Sequence, residues 1–246
     1  MRKSWGSRLF EDLVIRDGQA ASAAGRLIKV SGGGFGLLWN LDDSWSGEDI
    51  LPAGDPVVRL SHSDVDELRE LVGRPVTVMG QWRGGVLCID SAVPFKRETA
   101  SVLPATTAPS VTSETRMSET ASTIEQDLFS SGTILWRFRR VIPGDREEFV
   151  VSAVDVPKAR AALEPVYGPR LRIYQSPWTA RDLAALDAVI GLIDPARENA
   201  VGKGVTSEGV VYRSLALTYL NGELAALLER FPAGMLLLDV QVRPLH

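Results

Sequence analysis

The sequence has a single cysteine, Cys88, and only two histidines, His62 and His246. One thiol forms no intrachain disulfide, and a structural zinc site of four cysteines, or of a cysteine pair with a histidine pair, is excluded. The Gly-x-Ser-x-Gly elbow that presents an activated serine is missing, and neither histidine stands in a pattern that marks a general base. Gly202-Lys203-Gly204-Val205-Thr206-Ser207 gathers the residue types of a phosphate-binding loop, but it lacks the Gly-x-x-x-x-Gly-Lys-Ser/Thr spacing and the strand before and helix after that such a loop needs. Long apolar runs are missing too. The richest, residues 235–242, is interrupted by Asp239 and is strand-sized, far short of the roughly 20 residues that span a bilayer. Glu11, Asp12, Arg16 and Asp17 break the first 24 residues before an apolar stretch reaches signal-peptide length, so the expectation is a cytoplasmic chain that does not enter a membrane.

An excess of positive charge is also missing. Residues 1–100 carry 12 basic and 14 acidic side chains, 101–130 carry 1 and 4, and 131–246 carry 14 and 13, so neither half has the cation surplus that drives non-specific nucleic-acid binding. What is present is ordinary globular material: 45% hydrophobic and 24% charged residues over 246 positions, enough for each half to bury its own core. Between the halves, residues 99–130 shift to Ser, Thr, Ala, Pro and Glu with isolated apolar residues, a composition expected to form a disordered linker. Near its end, Ile124, Leu128 and Phe129 have the spacing of a short helical turn.

The first half reads as five strands and one helix. Residues 25–30 and 36–41 flank a glycine cluster, residues 57–60 follow Asp55-Pro56, and residues 75–82 and 86–92 flank Arg83-Gly84-Gly85, a hairpin turn. In the fourth run Val76, Val78, Gly80 and Trp82 alternate with Thr77, Met79 and Gln81. Residues 63–73 form an amphipathic helix between strands three and four, with Ser63 as cap, Asp64, Asp66 and Glu67 in the first turn, Val65, Leu68, Leu71 and Val72 on one face, and Gly73 at the stop. Three strands, a helix and a two-strand hairpin resemble the order of the OB-fold, a five-stranded barrel, over residues 20–95. The resemblance implies a ligand surface near Phe35, Trp39 and Trp45. The neighbouring loop also carries Asp42 and Asp43, whose charge disfavours phosphate there.

The second half, 131–246, reads as α+β. Residues 133–142 and 147–154 form a hairpin around Pro143-Gly144-Asp145-Arg146, with Ile134, Trp136 and Phe138 on one face and Arg137 and Arg139 on the other. The aromatics are expected in the core and the arginines at a solvent-facing edge. Helices follow at Pro157, at Thr179 and at Asn221, strands at 171–175, 210–220 and 235–242, and residues 199–208 read as a polar loop. With the Thr179 helix treated as an insertion, 147–175 and 210–243 give a βαβ–βαβ order that suggests a ferredoxin-like sheet. The expectation for the whole is a non-catalytic adaptor that engages a protein partner. Its candidate binding surface is Phe35, Trp39, Asp42, Asp43, Trp45, Arg137 and Arg139, with no catalytic residue, metal or cofactor. The alternatives are weak single-stranded nucleic-acid binding through the barrel, disfavoured by charge, and an enzyme whose site the sequence does not mark.

Overall fold

The computed structural model of the chain describes residues 9–31, 34–39, 56–61, 68–95, 119–142 and 146–245. Among the described residues it is a mixed α+β structure with three sheets. By contacts the chain falls into two units. Unit 1 comprises Met1–Glu98, Val189–Gly202 and Ser214–His246, and unit 2 comprises Thr99–Ala188 and Lys203–Arg213.

Unit 1 is built on strands β1 (Ala20–Val30), β2 (Gly34–Leu38), β3 (Val57–Ser61), β4 (Pro75–Arg83) and β5 (Val86–Pro94). Strand β1 pairs antiparallel with β2 on one side and with β4 on the other; β2 pairs with β3, β3 runs parallel to β5, and β5 pairs back to β4. The strand pairings therefore return to where they began. Alternation decides which side chains turn inward. Val76, Val78 and Trp82 of β4 are buried with Leu27, Leu37, Val58, Leu60, Leu87 and Ile89, while Thr77, Met79 and Gln81 face away, as the sequence pattern predicts. The β4–β5 hairpin turns on Gly84 (φ 54°) and Gly85 (φ 84°), both in the left-handed region that a two-residue type I′ turn requires. Of the predicted helix at 63–73, Leu68 and Arg69 are helical and Leu68 is buried; residues 62–67 lie outside the described residues.

A sixth strand arrives from the far end of the sequence. Strand β12 (Val242–Pro244) pairs antiparallel with Ala21, Ser22 and Ala23 of β1, on the edge that β2 leaves open beyond Arg26. At the junction, the Gln241 amide Nε2 donates to the carbonyls of Ala24 (3.0 Å) and Leu37 (3.3 Å). Gly25 leaves the room for this: a Cβ there would lie 2.5 Å from the Leu38 carbonyl oxygen and 2.8 Å from Gln241 Nε2.

Unit 2 is organised around a three-stranded sheet in the order β6 (Ile134–Ile142), β7 (Arg146–Ala153), β8 (Leu171–Gln175), with β6 antiparallel and β8 parallel to β7. Helices α1 (Glu119–Ser130) and α2 (Val156–Tyr167) bury Leu128, Ala159, Leu163 and Tyr167 with Ile134, Val151, Ala153 and Leu171. Helix α1 occupies the last part of the segment predicted as linker and extends the helical turn seen at Ile124, Leu128 and Phe129; residues 96–118 lie outside the described residues. Helix α2 begins where Asp155 accepts from the Lys158 N–H, with Pro157 in the first turn where no helical N–H partner is lost. Helix α3 (Ala180–Ile190) opens on a reciprocal cap, the Asp182 N–H donating to Thr179 Oγ1 and the Thr179 N–H to Asp182 Oδ2. Helix α4 (Gly222–Leu228) opens on Asn221, as predicted.

The remaining strands, β9 (Glu198–Val205), β10 (Val211–Leu217) and β11 (Leu236–Val240), form a sheet in the order β11-β10-β9. Two sequence expectations are corrected here. The stretch 199–208, read as a polar loop, is largely strand β9, because its glycines are covered from the neighbouring strand: a Cβ on Gly202 would meet the Ser214 side chain and one on Gly204 the Tyr212 ring, both at 2.5 Å. The two βαβ units expected in one ferredoxin-like sheet are present in chain order, as β7–α2–β8 and β10–α4–β11, but among the described residues they belong to different sheets.

Candidate functional site

The β6–β7–β8 sheet carries a linked set of aromatic and charged side chains, and one irregularity decides how they are distributed. Ile134 pairs with Ala153, and the next pair is Trp136 with Ser152, so Leu135 is an extra residue in the ladder. A bulge of this kind shifts the alternation by one position. Ile134 therefore stays on the helix-covered face, while Trp136 and Phe138 move to the opposite one. The expectation that Ile134, Trp136 and Phe138 share a face, with the aromatics in the core, is corrected accordingly.

On the helix-covered face lie Arg137, opposite Val151, and Arg139, opposite Phe149. Arg137 Nε is 2.6 Å from Glu125 Oε2 of α1, and the Tyr167 hydroxyl of α2 donates to the other oxygen of the same buried carboxylate. Burial, and secondly the adjacent Glu125, push the Tyr167 phenol far above its ordinary pKa, which keeps it a donor. The Tyr167 ring stacks on Phe149 with centroids 4.2 Å apart, and the Arg170 guanidinium lies over the other ring of that pair, Phe149, at 5.4 Å. Arg139 pairs with Glu147 at 3.1 Å. Of the two arginines expected to be solvent-facing edge residues, Arg137 is exposed, with 42% of its side chain accessible, and is held by Glu125 of α1, whereas Arg139 is 20% exposed and is held by Glu147 of β7.

On the opposite face, which also carries Glu148, Trp136, Phe138 and Tyr174 are half-buried and Val150 and Ser152 are buried. Glu148 Oε2 accepts from Arg140 Nε (2.8 Å) and lies 2.7 Å from its Nη2, while Oε1 is 3.1 Å from Arg172 Nε. One carboxylate therefore holds two guanidinium groups on the sheet face that also carries three aromatic rings. From the chain that follows α3, the Lys203 ammonium lies 5.7 Å from the Trp136 ring centroid, and the Tyr174 ring packs over Gly209. The hydrogen bond from Arg140 holds the Glu148 carboxyl below the usual carboxylate range, against the smaller opposing effect of burial.

That shift fixes the sign of an acid effect. Between the folded and the unfolded pKa of Glu148 the unfolded chain binds more protons, so the stability this group confers is present above about pH 4.3 and is lost as pH falls through the lower folded value. The thermal midpoint of the native chain should fall as pH drops below the unfolded value, and Glu148→Gln should lower the midpoint at pH 7 while flattening that fall. A Glu148→Gln chain whose melting curve matches the wild type at pH 7 and pH 3 would refute the assignment.

The other residues predicted for the site are placed as follows. Phe35 is buried in the unit 1 core, paired with Lys29 and Leu60, and Trp39 is half-buried at the end of β2. Asp42, Asp43 and Trp45 lie outside the described residues. Sequence reading missed Glu125, Glu148, Tyr167, Arg172 and Tyr174. The signal for Glu125 was available, since an acid between Ala121 and Leu128 in the apolar stripe of a helix requires a buried partner. Among the described residues no group of three or more His, Cys, Asp or Glu side chains is placed to hold a metal ion, and no helix is long and apolar enough to cross a membrane. No protein family, curated protein or solved structure matches this chain.

Proposed function

We propose that this chain is a non-catalytic, cytoplasmic binding protein that recruits a partner protein through the β6 side of the unit 2 sheet. The observation that carries this reading is the pre-ordered surface at β6, where Trp136 and Phe138 stand half-buried beside Arg140 and Arg172, both immobilised on Glu148. Aromatic and arginine side chains dominate the energetics of protein interfaces, and guanidinium groups already held by a carboxylate lose less freedom on binding. In unit 1, the order β1-β2-β3-β5-β4 with β4 returning to β1, together with the parallel β3–β5 pair, supports an OB-like barrel as the scaffold.

Weak single-stranded nucleic-acid binding is the second reading. It is favoured by the bulge that places Trp136, Phe138 and Tyr174 on the same face as Arg140 and Arg172, since stacking rings and cations on one face are what such binding uses. Glu148 offsets one of these two positive charges and would repel phosphate, and residues 131–246 as a whole carry 14 basic against 13 acidic side chains, which ranks a protein partner first. Cross-linking of the full chain in lysate, followed by purification with and without nuclease, separates the readings. A reproducible protein partner retained after nuclease is the expected result; a nuclease-sensitive partner supports the second reading, and a bound small metabolite would replace both with an enzyme.

A further inference from the structure

Strand β6 is nine residues long and lies at the edge of its sheet; among the described residues it pairs with β7 alone. An edge of that length is a template for another strand unless its side chains select against one. Its two faces differ. Arg137, Arg139 and Val141 point to the helix side, with Val141 52% exposed and the Arg170 guanidinium beyond them over Phe149, while Trp136 and Phe138 point to the other side. Around β6 stand the cations Arg137, Arg139, Arg140, Arg170, Arg172 and Lys203, against the carboxylates Glu125, Glu147 and Glu148 that the ion pairs engage.

We infer that β6 accepts, as an added strand, an extended acidic segment of a partner protein in which carboxylates alternate with apolar residues. The inference rests on the recruiting role proposed above and names the partner's chemistry. On an added strand, alternate side chains fall on opposite faces. The carboxylates of the segment then meet Arg137 and Arg139, and its apolar residues extend the Trp136–Phe138 row. Cross-strand pairs of opposite charge stabilise such an addition, and like charges set opposite each other oppose it. The same arginines discriminate against a second copy of the chain, because a β6-to-β6 pairing sets arginine against arginine.

The test uses the full chain and three labelled decapeptides: alternating Glu and Val, the same residues in two blocks, and alternating Lys and Val. Fluorescence anisotropy should show saturable binding of the alternating Glu/Val peptide, about tenfold tighter than either comparator and weakened about tenfold between 50 and 500 mM salt. Hydrogen exchange should slow over residues 134–142 when that peptide is bound, and Arg139→Glu should weaken its binding about tenfold. Equal binding of the blocked or the lysine peptide, no protection at 134–142, or a homodimer in sedimentation whose contacts map to β6 would each overturn the inference. A cellular partner captured equally by the wild-type and the Arg139→Glu chain would overturn it as well, while leaving the recruiting role intact.

Discussion

Ending the chain at Val240 should lower its thermal midpoint by about 10 °C, although only six residues are removed. Those residues supply the β12 pairings to Ala21, Ser22 and Ala23, the fully buried Val242, the two Gln241 amide bonds to Ala24 and Leu37, and the Leu245 N–H bond to the Ala20 carbonyl. Burying a valine contributes about 2 kcal/mol and each hydrogen bond about 1 kcal/mol, and for a chain of this size each lost kcal/mol lowers the midpoint by about 2 to 4 °C. The consequence extends to fragments. Residues 1–98 hold the five ring strands but not the strand that completes the outer edge of β1, so this fragment alone should be less stable than it is within the whole chain. Residues 189–246, added in trans, should raise its midpoint. Calorimetry of the truncated chain and of the fragment with and without its complement checks both points; a truncated chain melting within 2 °C of the full one would show that β12 contributes little.

The return of β12 marks where the sequence is silent. Residues 235–242 announce a strand by composition, but nothing in them says that the chain continues into a pairing with residues more than 200 positions away. Local signals were legible because they are set by local physics. Gly84 and Gly85 specify their hairpin, the alternation Val76-Val78-Trp82 specifies the inward face of β4, and Pro157, Thr179 and Asn221 specify where helices begin. Three features were not legible. Strand β9 is hidden because its glycines are matched by side chains on another strand, Ser214 and Tyr212. The bulge at Leu135 is hidden because it depends on how β7 registers against β6, and that single slip reassigns Trp136 and Phe138 to the other face. The charge network is hidden because Glu125 and Arg137 are joined only once α1 packs on the sheet. Residue types were therefore readable in advance, whereas the partners of Arg137, Arg140 and Arg172 were not.

Gly80→Ala is expected to be the most damaging single-methyl substitution in unit 1. Gly80 lies at the second irregular ladder position, where the β4–β5 register shifts between Met79 and Gly80. A Cβ there would overlap the carbonyl oxygen of Cys88 and lie 2.8 Å from the Ile89 Cα, so it meets backbone on the paired strand and not a side chain that can rotate away. Relief requires β4 and β5 to separate locally, with loss of ladder hydrogen bonds beside buried Val78 and Ile89. Overpacking a core typically costs about 1 to 3 kcal/mol, and a clash against paired backbone belongs at or above the upper end of that range. Gly85→Ala is the informative control, because Gly85 has the reverse problem: φ is 84°, and a methyl group added there would have nothing within 4 Å. Placing an L-residue in the left-handed region costs about 1 to 2 kcal/mol and disturbs no packing. Denaturant unfolding should therefore rank the chains wild type, Gly85→Ala, then Gly80→Ala in falling stability. Gly80→Ala should also expose the Trp82 fluorophore early in the transition, since that ring is buried on the same face of β4. A Gly80→Ala chain as stable as Gly85→Ala would mean that β4 and β5 do not approach each other as closely at Cys88 as the pairing places them.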